Sequence, residues 1–407
     1  MIQKLNSDKK TPDNEGETDG MRFRDLCVVL TLMTLCPLAK AWAPWRFIYT
    51  ADSRSESPSD NAGVNVAILS EIVSEVLAQN AEFLCFGGDL CVGLENQTIL
   101  EEEFLKWRQT VQPLYQAGFP VYIIRGNHDE GDPAGTTAWN NVFKDFTASG
   151  GLNYGLPQNG PDGEKNLTYA VAHKNVFILA LDQLVTPNHG KNRVAQAWID
   201  QQLAANTQPH VFPFGHFTAF KMIWDSFGDY PADRDRFWQS IARAGCRAYF
   251  CGHEHFYHEA RVDSDGNNNN DLYQVVVGSA GASIHIWDGK YIGNNGNRTL
   301  TDIYHTTRFG YIVVDVRGYD ITLTWMERDS SNQSIRGHYL PIYSWSWSVP
   351  IPKMVFADFV AIAENWLSGD CGPCGNLDLS GDGNIGLDDL LIFIEHWLVT
   401  PPAITEK

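Results

Sequence analysis

Positive charge is what this 407-residue sequence most lacks: 30 lysines and arginines stand against 49 aspartates and glutamates, a formal net charge of −19. Broad binding to nucleic acid or to anionic membranes needs a positive field, so the composition argues against both. A phosphate-bearing substrate would have to find its positive charge locally, in metal ions or in a few well-placed side chains. Cysteine is sparse as well, eight in the whole chain, too few for a disulfide scaffold. Cys85, Cys91, Cys246 and Cys251 sit in apolar, strand-like runs and read as buried thiols. Cys371 and Cys374 lie in the loop DCGPCG, where export would permit a disulfide. A zinc site would need two further ligands, and no second CxxC supplies them.

Long apolar runs are missing too. The nearest approach, in MRFRDLCVVLTLMTLCPLAKAWA (21–43), is too short to span a bilayer comfortably. Two arginines, an apolar stretch and a small-x-small ending at Ala41 and Ala43 give it the layout of a secretory signal peptide. The reading is that Met21 is the start, that 1–20 is an uninformative tail, and that cleavage near Ala43 leaves a mature chain from Pro44. A short membrane anchor is the weaker alternative, and Leu35 before Cys36 argues against a lipoprotein site. The mature chain is then expected to be secreted or extracytoplasmic, without a membrane span.

What is present is an α/β pattern. A hydrophobic content of 43% supports at least one large core. From Trp45 to about Val277, the runs WRFIYTAD, EFLCFGGD, PVYIIRGNHD, NVFILALD, HVFPFGH and RAYFCGH alternate with amphipathic helical stretches. In VNVAILSEIVSEVLAQ, residues Ile68, Leu69, Ile72, Val73, Val76 and Leu77 share one helical face. LYQVVV, GYIVVDV and DITLTWME then read as strands that finish the sheet system antiparallel, with DSDGNNNND (263–271) as a hairpin loop. Proline and serine accumulate after Arg328, which marks 329–352 as a linker or domain-end segment and leaves 44–328 as the main domain and 353–400 as a small module.

Residue types that bind metals fall just after the apolar runs: Asp52, Asp89, Asn127 with His128, His216, and His253 with His255. In α/β sheets, ligand sites assemble at the carboxyl ends of strands, so these turns can converge on one cleft. ADSR, GGDL, RGNHD, GHF and CGHEH, in this order, resemble the calcineurin-like metallophosphoesterase superfamily, close to its purple-acid-phosphatase-like branch. GNHD and GHEH are the specific pair; GGDL and GHF gain weight only from their order. The resemblance covers roughly 45–327 and implies a β-sandwich flanked by helices with two divalent metals at one edge. It assigns Asp52, Asp89 and His255 to one metal, and Asp89, Asn127, His216 and His253 to the other. It further implies attack on phosphorus by a metal-bound hydroxide, with His128 as general acid and Asp129 orienting its imidazole. Asp182 reads as a turn-capping carboxylate.

This sequence departs from the family where Arg54 stands two residues after the first aspartate, a place that often holds histidine. A guanidinium has no lone pair to give a metal. Arg54 therefore forks onto the substrate phosphate, or replaces part of a missing metal's charge, or forms a structural salt bridge. Repulsion from two occupied metals favours the first, because a phosphate would lie between the charges. Val92 stands where purple acid phosphatases proper have tyrosine, so no iron-phenolate chemistry is implied and Mn²⁺, Zn²⁺ or Fe²⁺ remain open.

Beyond the linker, ADFVAIAENWL (357–367) repeats as DDLLIFIEHWL (388–398) at an offset of 31. Ahead of the second copy, DLSGDGNIGLDD reads as a calcium loop with oxygen ligands from Asp378, Ser380, Asp382, the backbone carbonyl of Asn384, and Asp389, with Gly383 at the sharp turn. Aspartate at the twelfth position and the helical repeat resemble dockerin modules. The corresponding first loop holds Trp347, Val349 and Ile351 and cannot bind calcium, so one calcium is implied. The implied partner is a cohesin-type domain; a calcium-stabilised cap without a partner is the alternative. Taken together, the sequence reads as an exported metal-dependent phosphoesterase with two transition metals. The other readings are a non-catalytic binding protein on the same fold and a calcium-dependent scaffold component. The substrate, monoester or diester, is not encoded in any readable motif.

Overall fold

The computed structural model describes residues 44–60, 62–93, 96–130, 134–145, 154–185, 188–267, 271–329, 338–349, 356–367, 377, 379–380 and 384–397. Two mixed sheets carry the main domain. The first is built on β1 (Trp45–Thr50), β2 (Leu84–Phe86) and β3 (Val121–Ile123), which pair in parallel. On its other side, β11 (Gly310–Arg317), β12 (Asp320–Arg328) and β13 (Tyr339–Ser348) run antiparallel, giving the order β13-β12-β11-β1-β2-β3. The second sheet contains β4 (Tyr169–His173), β5 (Val176–Leu181), β6 (His210–Gly215), β7 (Ala248–Cys251), β8 (Tyr257–Asp263), β9 (Leu272–Val277) and β10 (Thr299–Thr306). Its order is β10-β8-β9-β7-β6-β5-β4, and β5, β6, β7 and β9 are mutually parallel.

The sheets meet face to face through rings. Phe47 of β1 lies 5.1 Å from Phe212, and Tyr49 lies 5.7 Å from Phe214 and 5.1 Å from Phe250, measured between centroids. Such inner strands are covered on both faces, which is why they read as unbroken apolar runs and not as alternating ones. Helix α1 (Val66–Ala78) starts where the Asn65 side chain accepts the Ile68 N–H, and it buries Ile68, Leu69, Ile72, Val73 and Val76. Leu77 does not join them: it sits in the last turn, at the edge of the apolar stripe, and is 40% exposed. The other helices of this domain are α2 (Gln97–Thr110), α3 (Gln112–Gln116), α4 (Ala134–Trp139), α5 (Gln196–Ala205) and α6 (Pro231–Arg243). None of the helices described is long and apolar enough to cross a membrane.

The expected end of regular structure near 329 needs correcting, because β13 pairs along its whole length with β12. Its sequence YLPIYSWSWS alternates aromatic and serine with period two, and this outweighs the proline and serine content. Tyr343, Trp345 and Trp347 pack on Tyr304, Tyr273 and Phe212 at 4.5, 4.4 and 6.0 Å. Pro341 is tolerated because β13 is an edge strand. The loop at 263–271 does join two antiparallel strands, β8 and β9.

Two helices follow, α7 (Phe356–Glu364) and α8 (Leu387–Trp397). They share a small core of Ile362, Leu379, Ile385, Ile392 and Phe393, with Phe359 and Phe393 rings 5.6 Å apart. Of the calcium-loop residues, Asp378 and Asp382 lie outside the described residues, as do the side chain of Trp397 and both Cys371 and Cys374. Asp389 is buried and accepts the backbone N–H groups of Ser380 (2.8 Å) and Gly386 (2.7 Å), which closes the loop onto the start of α8.

Candidate metal centre

Five parallel strands deliver the metal-ligand residue types: Asp52 follows β1, Asp89 follows β2, Asn127 and His128 follow β3, His216 follows β6, and His253 and His255 follow β7. Backbone hydrogen bonds tie their turns together. Asp52 N–H donates to Gly88 O (3.0 Å), Ser53 N–H to Asp89 O (2.9 Å) and Gly252 N–H to His216 O (3.0 Å). Asp52, Asp89 and His253 have φ of 64°, 52° and 70°, a region L residues seldom occupy. Strain of this kind persists where surrounding structure over-determines it, as at binding and catalytic sites. Gly88 has φ +92°, and a Cβ there would sit 2.5 Å from the Gly126 N. Only glycine lets the GGD and RGN turns pack backbone on backbone.

Donor atoms then converge in two groups that share Asp89. Ligand atoms of Asp52, Asp89 and His255 all lie within 4.8 Å of one another. In the second group, Asn127 Oδ1 is 3.0 Å from His216 Nε2 and 2.9 Å from His253 Nδ1, and His216 Nε2 is 3.3 Å from Asp89 Oδ1. Two of the imidazoles have a fixed orientation: His216 Nδ1–H donates to Gly87 O (2.9 Å) and His255 Nδ1–H to Ser283 O (2.7 Å). Each therefore turns Nε2 towards a carboxylate oxygen, His216 to Asp89 and His255 to Asp52 (3.5 Å). Acceptor facing acceptor in a buried place repels unless a proton or a cation lies between. Carboxylate, imidazole and amide oxygen in this arrangement fit divalent transition metals.

The electrostatics agree. Burial lowers the pKa of His253 to about 3, helped by the His216 imidazole, and that of His255 to about 4, helped by the Arg54 charge. Both are thus neutral, the form that ligates. Burial raises Asp52 to about 7, and the charge of Asp89 adds to this. Burial acts upward on Asp89 too, but the imidazoles of His216 and His128 and the His128 N–H outweigh it and hold Asp89 at about 2. Without a cation the two carboxylates cannot both stay ionised easily; with one they can.

Arg54 reaches the same cleft, with Nε 3.9 Å from Asp89 Oδ2 and without a hydrogen-bond partner. His128 is there as well, but the expected orienting role of Asp129 is not what the geometry gives. The acceptor at His128 Nδ1 is Val92 O, at 2.6 Å. The Asp129 carboxylate faces backwards, taking the N–H groups of Leu90 (3.0 Å) and Gly126 (2.9 Å), and so staples the Asp89 turn to the Asn127 turn. Burial and the Asp89 charge push its pKa well up. Asp182 caps its turn through the Leu184 N–H (2.8 Å) and also pairs with Arg125, Nε to Oδ2 at 2.7 Å, both side chains fully buried.

Sequence reading missed the wall beside His255. His285 stacks on it at 3.9 Å, and Glu254, between the two histidines of GHEH, is buried and accepts the N–H groups of Ile223 and Trp224, both at 3.0 Å. The central residue of GHEH was a signal available in the sequence; for His285, in an irregular loop, there was none. His285, Ile223 and Trp224 join Arg54, Asp89, Asn127, His128, His253 and His255 in lining a cavity of about 700 Å³.

The sequence profile of the calcineurin-like phosphoesterase family matches residues 60–257, a span that contains Asp89, Asn127, His216, His253 and His255. That stretch of the chain is thus similar to the calcineurin-like phosphoesterase domain. No curated protein matches it. Among solved structures, a purple acid phosphatase, PPD1, from yellow lupin (Lupinus luteus) seeds is similar with a TM-score of 0.52 at 16% identity, over 75% of this chain and 54% of that one. This chain spans about half the length of the lupin protein. GAP50, the anchor in the inner membrane complex of Plasmodium, is similar with a TM-score of 0.51 at 12% identity, over 76% of this chain and 90% of that one. At such identities the likeness is one of fold.

Proposed function

We propose that the protein is an exported phosphoesterase working with two divalent transition metals, Mn²⁺, Zn²⁺ or Fe²⁺, and tethered through its C-terminal module. The observation that carries the metal reading is the pair of imidazoles whose Nε2 atoms face carboxylates, His216 to Asp89 at 3.3 Å and His255 to Asp52 at 3.5 Å. Asp52, Asp89 and His255 would hold one cation, and Asp89, Asn127, His216 and His253 the other. Two such ions supply a water nucleophile of lowered pKa and neutralise charge on the phosphoryl oxygens.

The chain's own groups do the rest. Arg54, its Nε unpaired, forks onto a phosphate oxygen and fixes the ester in the cleft. His128, anchored through Nδ1–H to Val92 O, acts as the imidazolium and gives its Nε2 proton to the leaving alkoxide. The module closed by Asp389 would take one calcium through Asp378, Ser380, Asp382, Asn384 and Asp389, and its dockerin-like character points to a cohesin-type partner outside the cell. A second reading is a non-catalytic binding protein, favoured by Arg54 in a ligand position and by a fold shared with a protein described as an anchor.

Hydrolysis of a chromogenic phosphate ester by metal-loaded protein separates the two. The enzymatic reading requires activity that Asp89→Ala and His253→Ala both abolish. Absence of activity with every divalent metal, or activity that survives both changes, overturns it.

A further inference from the structure

One residue of the cleft is held in place without being covered. Trp224 is 53% exposed, yet its backbone N–H is fixed by Glu254 Oε1 at 3.0 Å and its Nε1–H donates to His285 Nδ1 at 3.3 Å. His285 meets the indole edge-on at 5.8 Å and stacks on His255 at 3.9 Å, so the ring is referenced to the metal centre through one rigid imidazole. Ile223, next to it, is anchored to the same Glu254 oxygen. An ordered, exposed indole at a cavity mouth is a preformed stacking surface, since its conformational entropy has been lost before any ligand arrives.

Two of the carboxylates that line the cavity are already ion-paired. Glu130 is paired with Lys191 at 2.8 Å and Asp225 with Lys221 at 3.0 Å, while Leu184, Phe217 and Ile223 also line the cavity. A flat aromatic ring needs only the indole face and apolar walls.

We infer that Trp224 is a specificity-determining residue, and that the preferred substrates are phosphate esters whose organic group carries a flat aromatic ring stacking on it. The inference rests on the phosphoesterase reading of the site and narrows its substrate class. Non-hydrolysable probes test it by calorimetry on the full chain equilibrated with Mn²⁺: phenylphosphonate, cyclohexylphosphonate and methylphosphonate. Phenylphosphonate should bind roughly tenfold more tightly than the other two. That preference should vanish in Trp224→Ala and persist in Trp224→Phe. Equal binding of the phenyl and cyclohexyl probes, or a preference that survives Trp224→Ala, overturns the inference and leaves the phosphoesterase reading standing. Failure of all three to bind overturns both. Aromatic preference in a protein that hydrolyses no ester supports the platform and sinks the enzymatic reading alone.

Discussion

His255 Nε2 lies 3.5 Å from Asp52 Oδ1 while its Nδ1–H is held by Ser283 O at 2.7 Å. With its pKa lowered to about 4, the imidazole is neutral at pH 7 and presents a lone pair to a buried carboxylate. Asp52 and His255 would together hold a cation, whose charge would offset that repulsion. His255→Ala should reduce the metal content from two equivalents towards one and slow ester hydrolysis by at least about a hundredfold. Two equivalents retained in the variant, measured by plasma mass spectrometry, would contradict the assignment.

Arg54 separates metal count from phosphate binding. Its Nε approaches Asp89 Oδ2 only to 3.9 Å, too far for a hydrogen bond. Arg54→His should raise metal occupancy and weaken substrate binding, with KM up by about ten- to a hundredfold, the worth of a charge-assisted fork. If neither quantity changes, Arg54 is a structural salt-bridge partner.

The Arg125–Asp182 pair lies under the site, fully buried on both sides. Asp182→Ala takes a carboxylate away from a buried guanidinium, and the expected loss of stability is about 3–5 kcal/mol by chemical denaturation. A loss below about 1 kcal/mol would mean that Thr136, 2.9 Å from Arg125 Nη1, and solvent compensate.

Acid should destabilise the fold through His210. Burial lowers its pKa from 6.5 to about 4; Nε2–H donates to Gly318 O, and Nδ1 is buried without a partner. The unfolded chain takes up this proton first, so the contribution is complete above about pH 6.5 and falls away as the pH drops towards 4. The gap corresponds to on the order of 3 kcal/mol. Stability curves of the wild type and His210→Gln at fixed metal concentration should diverge by this much between pH 7 and 4, the wild type losing more. Parallel curves would contradict it.

Calcium should act on the small module alone. Asp389 closes the loop onto two backbone N–H groups. Calcium should slow proteolysis of the C-terminal segment in the wild type but not in Asp389→Ala, with ester hydrolysis the same in both. Proteolysis indifferent to calcium would make the module a metal-free cap.

The candidate ligands were legible because each follows an apolar run and ligand residue types rarely fall in that place by chance. The parallel strands behind them were legible for the same reason: continuous runs such as NVFILAL signal burial on both faces. What stayed hidden depends on backbone atoms and distant pairings. The acceptor for His128 is the carbonyl of Val92, and a carbonyl has no side-chain signature. Arg125 and Asp182 are 57 residues apart, and Trp224 and His285 are 61 apart. The strand at 339–348 was masked by its serines and proline, although the Tyr-Ser-Trp-Ser-Trp alternation carries its period.

Two metals, held by residues from both sheets, would make this protein a phosphoesterase. Titrating metal-free protein with Mn²⁺ while following hydrolysis of p-nitrophenyl phosphate tests it most directly. No turnover is expected without metal, and the rate should climb as the second equivalent binds. Turnover in the metal-free protein, or none at any occupancy, would contradict it.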